Sequence, residues 1–89
     1  MLFFLSWVVI ILVKNIDREI IARAELGILL KGVRKALKLS QQELSELSGI
    51  SRQSINYYES GHVTPTIMSL KMWLDAVSKE IKRRKIKRS

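Results

Sequence analysis

The sequence has no cysteine, a single proline and a single histidine, His62. Without cysteine there is no disulfide framework, no thiolate metal site and no thiol nucleophile. One histidine excludes an all-histidine metal site and leaves little material for general acid–base chemistry. Acidic side chains are also scarce: 8 Asp and Glu stand against 16 Lys and Arg, a net charge of +8 over 89 residues. One small domain is expected at this length, burying about 60 % of its unfolded surface, which disfavours a deep enclosed active site. No enzyme, cofactor or metal site is expected. Alternating apolar and polar runs are missing too, so no sheet is expected.

The positive charge is unevenly placed. Residues 1–13 (MLFFLSWVVIILV) carry no charge, and residues 24–78 carry six basic and five acidic side chains. Residues 79–89 (KEIKRRKIKRS) carry seven basic side chains against Glu80 alone. The chain therefore divides into an apolar N-terminal segment (1–13), a mixed globular stretch (15–78) and a basic tail (79–89). A basic surplus of this kind meets nucleic acid or an anionic membrane surface.

Within the middle stretch, Leu26, Leu29, Leu30, Val33 and Leu37 recur at three- and four-residue steps, the spacing of one helix face. Ser40, with Glu43 three residues on, predicts a capping box that opens a helix over Gln41–Ser48. Gly49 suits the left-handed position that ends it. Ser51 is the next N-cap, opening a helix over Arg52–Ser60 that Gly61 closes. Thr64-Pro65-Thr66 marks a turn into a last helix whose Ile67, Leu70, Trp73, Leu74 and Val77 share a face, with Met68 and Met72 also assigned to the core. The basic tail, with little apolar periodicity, is expected to extend that helix only in part and to fray.

Gln41–Tyr58 thus predicts a helix, a tight turn containing Gly49 and a second short helix, the pattern of a helix-turn-helix. Ser45 is small where the helices approach closely, and Leu44, Ile50, Ile55 and Tyr58 would fill the wedge between them. The stretch from Leu26-Gly27 through Leu30, Arg34, LSQQELSELSGISRQSINYYESG (Leu39–Gly61), Pro65 and Leu70 resembles the lambda-repressor/Cro-type (XRE) helix-turn-helix family. It departs from that family's pattern at Lys38, where Gly is common, and at Ser45, where Ala is common. The resemblance implies an all-α, compact four- to five-helix domain. It further implies sequence-specific binding to double-stranded DNA, usually as a homodimer, in transcriptional regulation such as repression.

The resemblance also implies roles for particular residues. Arg52, Gln53, Asn56 and Tyr57, on the exposed N-terminal half of the second helix, match positions that reach base edges. Arg suits guanine O6 and N7, and Gln and Asn suit adenine N6 and N7. Gln41, at a helix start with outward backbone amides, is expected on a phosphate, with Ser51, Ser54 and Ser60 as further anchors. Lys82, Arg83 and Arg84 in the tail would add phosphate attraction. Arg34 and Glu59 match an ion pair that links the first helix to the end of the recognition helix, a structural role and not a catalytic one. His62 reads first as a solvated loop residue.

The apolar segment leaves three readings open. Thirteen helical residues span about 20 Å, short of the roughly 30 Å of a bilayer core. The segment could be a short membrane anchor holding the basic body on the cytoplasmic side, a surface for another copy or partner, or residues upstream of a start at Leu12 or Val13. A second functional reading follows from the first of these: a membrane-attached protein-interaction module on the same helical scaffold.

Overall fold

A computed structural model describes the backbone of residues 2–88 and the side chains of residues 5–11 and 18–85. Parts of the apolar segment (1–4, 12–13) and of the basic tail (86–89) lie outside the described side chains. Among the described residues there are four helices and no strand: α1 (Leu2–Ala36), α2 (Gln41–Ser48), α3 (Arg52–Glu59) and α4 (Ile67–Arg88). The fold is the all-α arrangement that the periodicity predicts.

Local chemistry sets the two short helices. Ser40 is extended and its hydroxyl accepts from the Glu43 N–H at 2.9 Å, while the Glu43 carboxylate accepts from the Ser40 N–H at 2.9 Å. Both bonds of the capping box are therefore made, satisfying donors that a helix start otherwise leaves open. The Ser40 bonds hold the Glu43 carboxyl below its usual range. Gly49, at φ 81°, ends α2 in the left-handed region, and its N–H donates to the Ser45 carbonyl. Ser51 caps α3 by accepting from the Ser54 N–H at 3.1 Å. Lys38 takes the left-handed turn after α1 at φ 57°, a conformation that costs a side-chain-bearing residue about 1 kcal/mol.

The core gathers Leu30, Leu39, Leu44, Ile50, Ile55, Trp73, Ala76 and Val77, with Leu26, Val33, Leu37, Tyr58, Leu70 and Met72 packed against it. Leu44 and Ile55 are fully enclosed. Ser45 carries more than small size: its hydroxyl donates to the Ile50 carbonyl at 2.6 Å and so ties α2 to the far side of the turn. Four residues assigned to the core are exposed instead. Leu29 (61 %), Met68 (68 %) and Leu74 (48 %) lie off the buried stripe, as does Ile67. The face of α1 that meets α3 runs through Gly27, Leu30 and Arg34, which turns Leu29 outward. On α4 the buried positions are Trp73, Ala76, Val77 and Glu80.

Helix α1 packs against α3, and α2 packs against both α3 and α4. The approach of α1 to α3 is closest at Gly27. A methyl group there would sit 2.6 Å from the Glu59 carbonyl oxygen and 2.8 Å from that of Tyr58. Two boundaries drawn from charge are crossed by continuous helical backbone. Helix α1 runs unbroken from Leu2, giving the molecule a long dimension of 65 Å. Helix α4 continues to Arg88, which corrects the expectation that the tail extends it only in part. Ion pairs from Glu80 to Arg83 (2.5 Å) and Arg84 (3.0 Å) lie at helical spacing and support the extension.

Candidate nucleic-acid interface

Helix α3 is held from behind. Ile55 is buried in the wedge beneath it, and Glu59 at its end is gripped by Arg34 of α1. The Arg34 Nε and Nη2 donate to the two Glu59 carboxylate oxygens at 2.7 and 2.9 Å, and Nη1 donates to the Leu39 carbonyl at 2.7 Å. Both side chains are buried, and the Glu59 bonds raise the guanidinium pKa above its ordinary value against the opposing effect of desolvation. A bidentate buried pair of this kind fixes orientation more surely than it adds net stability. Here it sets the pitch of α3 relative to α1.

The opposite face of α3 is open. Arg52, Gln53, Asn56 and Tyr57 are all exposed, and no side-chain hydrogen bond or ion pair engages Arg52 among the described residues. The Gln53 Nε2 donates to the Tyr57 hydroxyl at 2.9 Å, and the Tyr57 ring lies 6.1 Å from the His62 ring at a tilt of 43°. Gln41 sits at the first position of α2, where its Nε2 reaches Asn56 Oδ1 and Glu59 Oε1, each at 3.3 Å. Its amide thus joins α2 to α3. Spacing along the chain holds no sign of this bond, because it exists only once α2 and α3 have docked.

The serines are engaged locally. The Ser51 hydroxyl lies 2.8 Å from that of Ser54, in addition to its capping bond. The Ser60 hydroxyl donates to the Tyr57 carbonyl at 3.2 Å and lies 2.6 Å from His62 Nδ1. His62 is therefore tied back to α3, and its carbonyl also accepts from Arg23 Nη1 at 3.4 Å. In the tail, Arg83 and Arg84 pair with Glu80, and Arg84 Nη2 also donates to the Leu37 carbonyl at the end of α1. Both arginines border a shallow groove shared with Lys38, Leu39, Glu43, Glu46 and Leu47, away from the exposed row of α3. Lys82 is exposed. Part of the tail's charge is thus engaged within α4 and, through Arg84, at the end of α1.

Among the described residues, no group of three His, Cys, Asp or Glu is placed to hold a metal, and no helix is long and apolar enough to cross a membrane. Leu5, Trp7, Val9, Ile10 and Ile11 of α1 are exposed.

A capped helix, a glycine turn and a second helix locked on one face and polar on the other define a helix-turn-helix DNA-binding domain. The comparison with protein families agrees: a family model described as helix-turn-helix matches residues 30–80. The chain belongs to this family, the lambda repressor-like (XRE) helix-turn-helix proteins, and its domain is a DNA-binding one. No curated protein and no solved structure matches the chain.

Proposed function

We propose that the protein is a cytoplasmic, nucleoid-associated transcriptional regulator that reads operator sequence in the major groove with α3. The observation that carries this reading is the exposed row Arg52, Gln53, Asn56 and Tyr57 on a helix whose other face is locked by Ile55 and Glu59. Base contacts come from that row, and phosphate contacts from Gln41, Ser51, Ser54 and Ser60, with Lys82, Arg83 and Arg84 adding attraction. Two copies bind together, and Ile67, Leu74 and Ile81, exposed at seven-residue steps along α4, supply an apolar seam for pairing. Selection of bound sites from random DNA tests the reading. Paired half-sites are expected, and Arg52→Ala or Gln53→Ala should abolish site preference while leaving weak, salt-sensitive binding. Equal losses on selected and random DNA would refute it.

The exposed apolar residues near the start of α1 favour a second reading, a membrane-attached interaction module on the same scaffold. Retention of the full chain on membranes through high salt and alkaline extraction would support it, and release by salt alone would exclude it.

A further inference from the structure

Helix α1 carries a second stripe that the domain leaves uncovered. Its buried side meets α3 through Gly27, Leu30 and Arg34. On the opposite side, positions 7, 11, 14, 18, 22, 25, 29, 32 and 36 recur at three- and four-residue steps. That spacing keeps one seam of a helix turned towards a partner helix over many turns. From Trp7 to Ala36 the seam runs about 44 Å along the helix axis. Every described side chain on it is exposed. Arg18 and Glu25 are charged, and no hydrogen bond or ion pair engages either among the described residues. Large residues, Trp7 and Ile11, stand at one end, and small ones, Gly32 and Ala36, at the other. Beside Gly32, nothing lies within 4 Å of the place a methyl group would occupy.

We propose that a second copy of the chain packs antiparallel along this seam. Reversed about Ile21 and Ala22, the stripe is complementary to itself. Arg18 then stands opposite the partner's Glu25, and Glu25 opposite the partner's Arg18, as a two-fold contact requires. The same register sets Trp7 against the partner's Ala36 and Ile11 against the partner's Gly32, so large side chains fall on small ones. Lys14 completes the register opposite Leu29. A parallel pair would instead set each residue against its own copy. Arg18 would meet arginine and Glu25 would meet glutamate, two like-charge layers that oppose association, and Gly32 would meet glycine across a gap. Charge and size therefore select the same direction. The seam lies on the side of α1 away from Gly27 and Arg34, so α3 stays uncovered. This contact is separate from the α4 seam and does not depend on what α3 reads.

The chain has no cysteine, so single substitutions in the full chain mark the seam cleanly. Mixed under mild oxidation, Arg18→Cys and Glu25→Cys chains should form a disulfide-linked heterodimer. Each variant alone should not link, because antiparallel copies hold like positions seven residues, about 10 Å, apart along the axis, beyond disulfide reach. Sedimentation supplies a second arm. Glu25→Arg turns both ion pairs into repulsions and should weaken self-association about tenfold, and adding Arg18→Glu to the same chain should restore it. Leu74→Glu, on the α4 seam, should leave the heterodimer link unchanged. Circular dichroism melts confirm the fold of each variant. Links formed by each single variant alone would overturn the antiparallel direction. A link lost in Leu74→Glu would show that the contact depends on α4. No link in the mixture would overturn the seam, and retention of that unlinked chain on membranes would assign the apolar end of α1 to lipid instead. Site selection from random DNA reads the major-groove proposal separately, so either can fail without the other.

Discussion

Two glycines five residues apart on α1 offer a direct test of how the first helix meets the recognition helix. The perturbation is the same at each, Gly27→Ala and Gly32→Ala, one added methyl group on a helix. At Gly32 nothing lies within 4 Å of the new atom. The substitution should therefore gain the ordinary helix preference of Ala over Gly, about 0.5–1 kcal/mol. At Gly27 the same gain is opposed by contacts of 2.6 and 2.8 Å with the carbonyl oxygens of Glu59 and Tyr58. These are backbone atoms of the last turn of α3, held by the buried Ile55 and by the Arg34–Glu59 pair, so they cannot swing aside as a side-chain tip could. Relief requires α3 to move away from α1, an overpacking cost of about 1–3 kcal/mol. After the propensity gain, a net loss of about 1–2 kcal/mol is expected. For a domain of this size, that lowers the midpoint of thermal unfolding by roughly 5–15 °C. Gly32→Ala should raise it by a few degrees. Far-UV circular dichroism melts of the two variants and the wild type read both signs in one experiment. A Gly27→Ala variant as stable as Gly32→Ala would refute the close approach.

The remaining predictions concern charge and backbone. Arg34→Met leaves Glu59 buried and unpaired and should cost about 3–5 kcal/mol in urea unfolding, whereas adding Glu59→Leu should recover much of the loss. Absence of recovery would show that the cost does not come from an orphaned charge. Hydrogen bonds from Arg83 and Arg84 lower the Glu80 carboxyl to a pKa of about 2. Because the folded value lies below the unfolded one, this stabilisation is complete above the ordinary carboxylate range and drains away as pH falls towards 2. Glu80→Gln should therefore melt below the wild type at pH 6, with the gap closing as pH falls to 2; a gap independent of pH would refute the assignment. Lys38→Gly removes the left-handed strain at φ 57° and should gain about 0.5–1 kcal/mol, whereas Lys38→Ala keeps the Cβ and should gain nothing. Equal stabilities for these two variants would refute the strain.

Features encoded within a few residues were legible in the sequence. The Ser40–Glu43 box, the Gly49 turn and the Ser51 cap each depend on side chains that reach their own backbone. Their spacing is therefore their structure. The all-α class followed from the same periodicity. The extent of the two long helices was not legible, because a change of composition does not by itself end a helix. Lys14, Asn15 and Asp17 change polarity without ending a helix, and residues 79–88 contain neither Gly nor Pro. The assignment of Leu29 and Leu74 to the core failed for a related reason. Residues one apart on a helix point about 100° apart, and only the position of the neighbouring helix decides which is covered. At the interface, the exposed row of α3 could be read from spacing. The Gln41 amide bridging Asn56 and Glu59 could not, since 15 and 18 residues of chain separate those partners.

The continuity of α1 has a mechanical consequence. Its C-terminal third grips α3 through Gly27, Leu30 and Arg34, while Leu5–Ile11 stand at the other end of the same rod. From Ile11 to Arg23 the helix covers about 18 Å without a proline or glycine hinge. A stiff rod transmits angle as well as distance. A load applied to the apolar end is carried to α3, which the Gly27 contact and the Arg34–Glu59 pair hold to the same rod. Whatever grasps that end therefore sets the aim of α3.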